Sequence, residues 1–324
     1  MEQNKSSFKT QLNSKTALVL GCNGQDGSLI SLLLLKKGYR VIGFSRNSDN
    51  TRNNILKLGI DKDIDFISGD IRNIELISSI ISQNKPNEIY NFAAQSSVGK
   101  SFEEPIETTQ GIIQGTINIL ESVKNASLES KIFFAGSSEI FGDTEKGADI
   151  STVQNPQNPY GISKQTSFNL VKFYRNVHNL KCMTGVMFNH ESRLRPQTFV
   201  TQKIIRAAKA IKEKNDLKLK LGNIEIIRDW GCASEYMEAV YLMTNAGQIK
   251  DHVICTGKAT SLKTFISKVF SAYALNWEEH VEIDENLFRA TEIMKNFGNP
   301  EQLSRDLGWK AKINIDLLIN KMIH

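Results

Sequence analysis

The 324-residue sequence has few of the features that mark secreted, metal-binding or membrane-spanning proteins. Its apolar run at residues 29–35 is interrupted by a serine and is far shorter than the roughly 20 residues that a membrane-spanning helix needs. Its five histidines show no metal-ligand spacing, and its four cysteines have no paired spacing, so we predict neither a metal site nor a disulfide framework. We therefore expect a soluble, cytoplasmic protein without a membrane anchor. Its cysteines, expected to be reduced, are Cys22, Cys182, Cys232 and Cys255.

An excess of charge of one sign is also missing. Forty Lys and Arg residues against 35 Asp and Glu residues give a net charge of +5, dispersed along the chain. This charge is too weak to indicate nucleic-acid binding, although it suits an anionic small ligand. With 40% hydrophobic and 23% charged residues, the chain has the composition of a globular protein and the length for one large or two moderate domains. Residues 1–14 lack the apolar core of a signal peptide, and we expect them to form a polar tail.

A strand, a glycine-rich turn and a helix open the predicted fold. The β-type run TALVL at residues 16–20 is followed by GCNGQDG at 21–27 and by a helix expected at 28–37. A second strand is expected at residues 39–44. Glycines at the first, fourth and seventh positions of the turn permit a tight turn, the close approach of a pyrophosphate and close helix–strand packing, while the helix N-terminus attracts the phosphates. In this βαβ context the turn predicts dinucleotide binding rather than a purely structural loop.

The end of the second predicted strand indicates which dinucleotide is bound. An acidic residue there would bind the ribose of NAD, whereas an arginine would accept the 2′-phosphate of NADP. The sequence SRNSD at residues 45–49 places Arg46 at this point, which favours NADP. A solvated surface arginine is the alternative, and Asp49 keeps NAD open as the less favoured cofactor.

Two further predicted strands extend the pattern. IDFISGD at residues 64–70 forms a third strand with Asp70 at its tip, where it could meet the adenine amino group. EIYNFAAQS at 88–96 forms a fourth, whose small residues Ala93 and Ala94 would let the backbone approach the cofactor. Strands that alternate with helices predict an α/β fold, a Rossmann-type doubly wound parallel sheet with its ligand site at the carboxyl ends of the strands.

The rest of the chain lacks this regular alternation and predicts a second, smaller α/β substrate-binding lobe. We expect the dinucleotide-binding domain at residues 15–192, with a return segment near 234–260. The substrate-binding lobe is then formed by residues 193–233 and 261–324.

The candidate catalytic groups lie around one further predicted strand and the helix that follows it. The apolar run KIFFA at residues 131–135 leads to Ser137 and Glu139, and Tyr160 and Lys164 stand four apart in a segment with helical spacing, so both point to one face. The ammonium favours the phenolate, which we expect to lower the tyrosine pKa from about 10 and make it usable as a base near neutrality. Taken alone, Tyr160 and Lys164 could be two residues on a helix surface, and Glu139 could be a polar residue that caps the end of the strand.

With these residues in view, the chain resembles the extended short-chain dehydrogenases/reductases, and among them the GDP-mannose 4,6-dehydratases. The resemblance covers the chain from about residue 15 onward. It rests on GCNGQDGS at 21–28, EIYNFAAQSSV at 88–98, SSEIFG at 137–142, NPYGISK at 158–164, FNHES at 188–192, TFVTQKI at 198–204, RDWG at 228–231, FRATE at 288–292 and GNPEQLSRDLGWK at 298–310.

The resemblance implies roles for residues that match the family motifs. Its catalytic positions correspond to Ser137, Glu139, Tyr160 and Lys164. Its cofactor-binding positions correspond to Gly21, Asn23, Gly24, Gln25, Asp26, Gly27, Arg46, Asp70, Ile71, Ala93, Ala94, Ser96, Tyr160, Lys164, His190 and Arg195. Its GDP-sugar-binding positions correspond to Asn189, Val200, Lys203, Leu221, Arg228, Arg289 and Glu292.

Several positions depart from the family pattern. The active-site hydroxyl, normally a threonine, is Ser137. The usual Arg-Arg-Ser-Ser after the second strand is replaced by RNSD at 46–49, which bears on NADP preference and on tetramer contacts. The usual Pro-Arg-Arg after FNHES becomes RLR at 193–195, and Glu107 replaces a common tyrosine.

The resemblance implies an NADP-dependent GDP-sugar 4,6-dehydratase, a hydro-lyase of deoxysugar biosynthesis. GDP-mannose would first lose a hydride from C4. Water would then be eliminated across C5 and C6, and the hydride would return to C6 to give GDP-4-keto-6-deoxymannose. The alternatives are a GDP-heptose or other GDP-sugar 4,6-dehydratase, a 4-epimerase or 4-keto reductase, and a non-catalytic dinucleotide-binding module. The apolar faces of the helices expected at 111–123 and 160–178 suggest a homodimer or homotetramer.

Overall fold

The computed structural model describes residues 15–46, 53–214 and 217–324. The tail expected at residues 1–14, and Asp49 with its bearing on the cofactor, lie outside these ranges. The strands within them are β1 (Thr16–Leu20), β2 (Arg40–Ser45), β3 (Ile64–Ser68), β4 (Glu88–Asn91), β5 (Lys131–Ser137), β6 (Cys182–Met187), β7 (Asn189–Glu191), β8 (Leu219–Leu221), β9 (Ile227–Cys232), β10 (His252–Ile254), β11 (Ala259–Ser261), β12 (Val281–Ile283) and β13 (Lys295–Asn296).

Helices cover most of the chain between these strands. A π-helical turn (Gln110–Gln114) joins two of them, and short 3₁₀ turns occur at Ser138–Ile140, Trp277–Glu279 and Glu285–Leu287. The α-helices are α1 (Gln25–Lys36), α2 (Asn53–Leu58), α3 (Ile74–Asn84), α4 (Val98–Glu103), α5 (Pro105–Thr109), α6 (Gly115–Asn125), α7 (Pro159–His178), α8 (Val200–Glu213), α9 (Ala233–Asn245), α10 (Leu262–Ala272), α11 (Glu301–Leu307) and α12 (Ile315–Ile323).

Seven strands form one parallel sheet in the order β10-β6-β5-β4-β1-β2-β3. The chain moves outward from β1 to β3 and then starts again beside β1 at β4, so the carboxyl ends of β1 and β4 flank the point where the order reverses. Such a point is where parallel α/β sheets bind their ligands. The sheet confirms the predicted Rossmann-type doubly wound fold.

Two apolar cores cover the two faces of this sheet. On one face, α1 and α9 pack against buried residues of the central strands, among them Val19 and Tyr90. On the other face, α3, α6 and α7 pack against Leu18, Ile89 and Ile132. Because both faces are covered, the strands are apolar at nearly every position and carry no alternating pattern.

The smaller lobe has its own apolar core. Helices α8, α10 and α12 enclose Trp230, Phe265 and Phe270 together with β8 and β9. A small sheet has the strand order β11-β9-β13, and β7 also pairs with β9. A separate two-stranded sheet is formed by β8 and β12. Within the segment at 233–254, α9 packs on α1 and β10 joins the large sheet beside β6.

Candidate active site

The glycine-rich turn connects β1 to α1 at the point where the strand order reverses. Gly21 has a φ of +83°, and a Cβ atom on it would lie 2.7 Å from the carbonyl carbon of Phe92. A Cβ atom on Gly27 would lie 2.2 Å from the Gly21 oxygen, so this position also requires glycine. Helix α1 begins at Gln25 with Gly24 as its N-cap and no side chain from the described chain capping it, which leaves its first N–H groups for a ligand.

An unpartnered amide lies in the same turn. Both polar atoms of the Asn23 side chain are buried and have no hydrogen-bond partner within residues 15–46, 53–214 and 217–324. Leaving a buried amide unpaired costs about 1–3 kcal/mol, so such groups usually face a ligand or an ordered water. The close glycine backbone, the uncapped helix and this amide together fit the pyrophosphate of a dinucleotide.

Ser137, Glu139, Tyr160 and Lys164 converge on one cleft between the large sheet and the smaller lobe. The cleft has a volume of about 500 Å³, and all four side chains line it. Ser137 is the last residue of β5, and its hydroxyl accepts a hydrogen bond from the Glu139 backbone N–H at 3.3 Å. Tyr160 and Lys164 come from the first two turns of α7.

Asn158 ties the carboxylate to the helix that carries the phenol. Its side-chain Nδ2 donates to Glu139 Oε2 at 2.8 Å, and its Oδ1 accepts from the Gly161 backbone N–H at 2.8 Å as the N-cap of α7. An asparagine N-cap followed by proline at the first helical position is a strong helix-start signal. The residue that starts the helix therefore also orients Glu139.

Lys164 is held close to Tyr160 by the backbone of β5. Its Nζ donates to the Ala135 carbonyl oxygen at 2.8 Å and lies 5.6 Å from the centroid of the Tyr160 ring. Burial lowers the pKa of Lys164 to about 8. The side chain is thus an ammonium at neutral pH, and it holds that charge against the cost of desolvation.

The tyrosine pKa differs from the sequence-based expectation. Burial raises the pKa of Tyr160 to about 12, and the hydrogen bond from Ser137 and the charge of Arg195 oppose this rise, whereas the Glu139 charge adds to it. The expected lowering by Lys164 was wrong for the protein without ligands, because the phenol is buried and the ammonium points to a backbone carbonyl. A positive charge placed beside the phenol would favour the phenolate.

Lys164→Met removes a charged group that burial destabilises, so we expect the variant to be more stable than the wild type by roughly 1–3 kcal/mol at neutral pH. One unit of pKa shift corresponds to about 1.4 kcal/mol, and solvent screening in the cleft reduces the full value. The folded-state pKa of about 8 lies below the ordinary 10.5, so the unfolded chain binds more protons between these values. The wild-type free energy of unfolding should therefore rise with pH across this window, and the difference from the variant should close. Urea unfolding at several pH values measures it.

Lys172→Met, on the exposed side of the same helix, is the matched control for this experiment. It should leave the pH dependence of the free energy of unfolding unchanged. Equal stability of the wild type and Lys164→Met at neutral pH would show that the ammonium carries no desolvation cost.

A buried ion pair connects the glycine turn to the strand that leads into the smaller lobe. His190 Nε2 lies 2.9 Å from Asp26 Oδ2, and His190 Nδ1 lies 2.6 Å from the Phe188 carbonyl oxygen. Burial disfavours both charged forms, but the attraction between the two groups outweighs it. The pKa of His190 is therefore raised and the pKa of Asp26 is lowered. Both imidazole nitrogens face acceptors, an arrangement that the imidazolium satisfies. The pair thereby fixes the first turn of α1 relative to β7.

The opposite wall of the cleft carries a buried cation. Arg228, at the start of β9, is only 4% exposed, and its Nη1 donates to the Ile227 carbonyl oxygen at 2.9 Å. Burial lowers its pKa, and the charge of Glu139, which lines the same cleft, has the largest opposing effect. A guanidinium has five N–H donors, so a buried one with a single hydrogen bond to protein in the described ranges suits an anionic ligand.

The structure brings together most residues that the sequence assigns to binding. Lys203 reaches this cleft and donates to the Lys220 carbonyl oxygen at 2.8 Å, and Arg289 pairs with Glu292 at 3.9 Å. The cleft is also lined by Gly24, Gln25, Asp26, Gly27, Ala93, Ala94, Ser96, His190, Arg195, Asn189, Val200, Leu221, Arg228, Arg289 and Glu292.

Five of the assigned residues lie outside the cleft lining. Gly21 and Asn23 are part of the glycine turn itself, and Arg46, Asp70 and Ile71 follow β2 and β3 along the same carboxyl edge of the sheet. The carboxylate oxygens of Asp70 accept hydrogen bonds from the guanidinium of Arg72, at 2.6 and 3.0 Å.

Sequence reasoning missed three functional candidates: Asn158, Arg72 and Glu107. Asn158 could have been found from its position before Pro159, which marks an N-cap close to the tyrosine. Glu107 was noted only as a departure from the family pattern, without a role. Arg72 carried no signal of its own, because its contact with Glu107 joins residues 35 positions apart.

Comparison with known proteins gives matches along nearly the whole chain. The family model described as GDP-mannose 4,6 dehydratase matches residues 18–322. The chain is 37% identical over 320 residues to GDP-mannose 4,6 dehydratase 1 of Arabidopsis thaliana, covering 95% of this chain and 89% of that protein. It is 34% identical over 335 residues to GDP-mannose 4,6-dehydratase of Sinorhizobium fredii (strain HH103), covering 95% of each.

The solved structures that resemble the model share its fold at low sequence identity. One is DesIV, the dTDP-glucose 4,6-dehydratase of Streptomyces venezuelae, crystallised with NAD and TYD bound. It superposes with a TM-score of 0.84 at 20% identity and covers 95% of both chains. Within the described parts of this chain, no helix is long and apolar enough to cross a membrane, and no group of three or more His, Cys, Asp or Glu residues could hold a metal ion.

Proposed function

The chain belongs to the GDP-mannose 4,6-dehydratase family, and from this premise we propose that it converts GDP-mannose to GDP-4-keto-6-deoxymannose and water, as a hydro-lyase of deoxysugar biosynthesis. One observation carries the proposal above all others. A phenol, an ammonium, a hydroxyl and a carboxylate line one wall of a cleft whose opposite wall holds the buried guanidinium of Arg228. The first four groups suit oxidation and elimination at a sugar, and the fifth suits a sugar diphosphate.

The first step is removal of the proton from the sugar 4-hydroxyl. Tyr160 takes this proton as the phenolate, Lys164 supplies a nearby positive charge, and Ser137 donates a hydrogen bond to the same sugar oxygen as the ketone forms. When bound, a nicotinamide dinucleotide accepts hydride from C4 and later returns it to C6. The oxidised ring of such a cofactor would place a positive charge beside Tyr160 and so favour its phenolate, against the effect of burial.

The second step is elimination of water across C5 and C6. The 4-ketone acidifies the C5 proton, and Glu139, oriented by Asn158, removes it. That proton leaves with the C6 hydroxyl as water, and the proton held by Tyr160 returns to C5 once C6 is reduced. Both side chains end the cycle in the protonation states in which they began. No net oxidation occurs, because the hydride taken from C4 is returned to C6.

The cofactor fits the glycine turn and the adjoining carboxyl edge of the sheet. The uncapped N-terminus of α1 and the Asn23 amide would hold the pyrophosphate, and Tyr160 and Lys164 would bind the nicotinamide ribose. Arg46 follows β2, where the ribose 2′ position of a bound dinucleotide would lie, and this supports NADP as the cofactor.

We assign the sugar nucleotide to the residues of the smaller lobe. Arg228, Arg289 and Lys203 would bind the diphosphate, and Glu292 stays close to Arg289 through their ion pair. Asn189, Val200 and Leu221 complete the cleft wall on this side.

We also propose a homo-oligomer, with a dimer as the smallest form and a homotetramer as an extension. Large apolar side chains on the outer face of α7 and on α5 stay half or more exposed in the single chain, and a second copy could cover them by pairing helices across a two-fold axis. They are Ile106, Ile162, Phe173 and Val177. We place the protein in the cytoplasm, because Cys182, Cys232 and Cys255 are buried thiols that suit a reducing compartment.

Purified protein incubated with GDP-mannose is expected to form a product lighter by one water, without consuming added NADPH. Mass spectrometry of the sugar nucleotide, with NMR of its C6 methyl group, measures this. Conversion of a GDP-heptose but not of GDP-mannose would reject the hexose substrate while preserving the reaction type. Inversion at C4 without loss of water would reject dehydration altogether.

A further inference from the structure

Four charged side chains form an alternating chain at the carboxyl ends of β2 and β3. Arg46 Nη1 lies 2.9 Å from Glu107 Oε1, and Glu107 Oε2 lies 2.6 Å from Arg72 Nη1. Arg72 Nη2 lies 2.6 Å from Asp70 Oδ2. Glu107 reaches this edge from α5, and its carboxylate bridges the two guanidinium groups.

This chain of charges lies where the adenosine ribose of a bound dinucleotide is expected. The Gly21 N–H donates to the Phe44 carbonyl oxygen at 2.8 Å, so the turn that receives the pyrophosphate is in direct contact with the end of β2. Arg46 is the first residue after that strand. In doubly wound folds the group at this point contacts the ribose 2′-hydroxyl or its phosphate.

The charges in the network cancel, two positive against two negative. A 2′-phosphate carries roughly −1.5 to −2 charges and would need the guanidinium of Arg46 for bidentate recognition. One oxygen of Glu107 already accepts a hydrogen bond from that guanidinium, and the other pairs with Arg72, so both oxygens of the carboxylate have a partner. A neutral 2′-hydroxyl does not need a free guanidinium and can donate to a carboxylate.

We propose that Glu107 determines the dinucleotide specificity of this protein by competing with the 2′-phosphate of NADP for Arg46, and so reduces the preference for NADP over NAD. The inference rests on the proposed binding of a nicotinamide dinucleotide. It assigns a specificity role to a side chain from α5, an element outside the glycine turn and outside the end of β2.

Glu107→Gln tests this because the amide keeps an oxygen toward Arg46 but removes the charge. The dissociation constant of NADP, measured by calorimetry on the full chain without sugar nucleotide, should fall about fivefold to tenfold, as expected when Arg46 is released from a partly exposed ion pair worth about 1 kcal/mol. The dissociation constant of NAD should change by less than about twofold. The gain for NADP should shrink as salt is raised, since the side chains are partly exposed.

A double-mutant cycle with Arg46→Ala determines whether Glu107 acts through Arg46. Arg46→Ala alone should weaken NADP binding, and adding Glu107→Gln to it should give no gain. Glu104→Gln is the control, since Glu104 is an exposed neighbour that pairs with Lys100 at 3.1 Å. It should leave both dissociation constants unchanged.

Three results would overturn the proposal. They are an unchanged ratio of the two dissociation constants in Glu107→Gln, weaker NADP binding in that variant, or the same gain in the Arg46→Ala background. Because no sugar nucleotide is present, these results are independent of whether the protein dehydrates GDP-mannose. Failure of the dehydratase proposal would appear only in the turnover assay.

Discussion

Glu139→Gln is expected to lower kcat for dehydration by about 10²–10⁴-fold, the contribution of a positioned general base, while leaving the first oxidation intact. The amide cannot take the C5 proton, but it has nearly the same shape, and its oxygen can still accept the hydrogen bond from Asn158. Tyr160, Ser137 and Lys164 are unchanged and can complete removal of hydride from C4. The variant should therefore stop at the 4-ketohexose.

The stalled state has two readouts. In a single turnover with excess enzyme, the near-ultraviolet absorbance of reduced nicotinamide should rise and persist in Glu139→Gln, whereas in the wild type it should appear only transiently. In deuterated water the variant should incorporate no deuterium at C5. Glu145→Gln serves as a control, because Glu145 is an exposed residue paired with Lys295 at 3.9 Å. Full product formation by Glu139→Gln would assign the C5 proton to another base, and a 4-keto reductase would barely respond to the change.

Tyr160→Phe should block the reaction one step earlier. Removal of the phenol oxygen leaves no group in the proposed position to take the 4-hydroxyl proton, and we expect kcat to fall by about 10²–10⁴-fold. In contrast to Glu139→Gln, reduced nicotinamide should not accumulate, because oxidation at C4 itself is prevented. The KM for GDP-mannose should change little, since the diphosphate is assigned to the opposite wall of the cleft.

The pH dependence provides a separate check on Tyr160. Burial raises the pKa of this phenol to about 12 in the protein without ligands, so the phenolate is a minor species at neutral pH until a positive charge lies beside it. Binding of the oxidised dinucleotide should therefore release a proton, measurable by calorimetry in buffers of different ionisation enthalpy, and Tyr160→Phe should release less. Tyr273→Phe, which alters a partly buried tyrosine of the smaller lobe, is the control. Unchanged turnover in Tyr160→Phe would favour a non-catalytic dinucleotide-binding module.

Much of the large sheet could be predicted from local pattern. Thr16–Leu20 was expected as the first strand and forms β1, and the helix expected from Tyr160 to His178 is α7 with one more residue at its start. Buried parallel strands are continuous apolar runs, and glycine turns and N-caps mark helix ends, so these elements carry their own signals. The helix after the glycine turn begins at Gln25, earlier than expected, because the turn itself supplies the N-cap.

The site could be predicted as a set of residues but not as a set of interactions. The sequence motifs indicated Ser137, Glu139, Tyr160 and Lys164, and the model places all four in one cleft. The spacing of Tyr160 and Lys164 suggested a lowered phenol pKa, whereas burial raises it, because desolvation depends on everything packed around the group. Asn158 and Glu107 were missed as functional residues for a similar reason.

By itself, the sequence determined the order of strands and helices, the glycine turn and the types of side chain available for catalysis, because these depend on short-range periodicity and stereochemistry. Only the tertiary structure decided that Glu139 is held by Asn158, that Arg228 is buried facing it, and that Arg46 is already paired with Glu107. The hydrogen-bonded residues are 19 positions apart for Glu139 and Asn158 and 61 positions apart for Arg46 and Glu107. Distance and dielectric environment, which control charge interactions, are set when the chain packs.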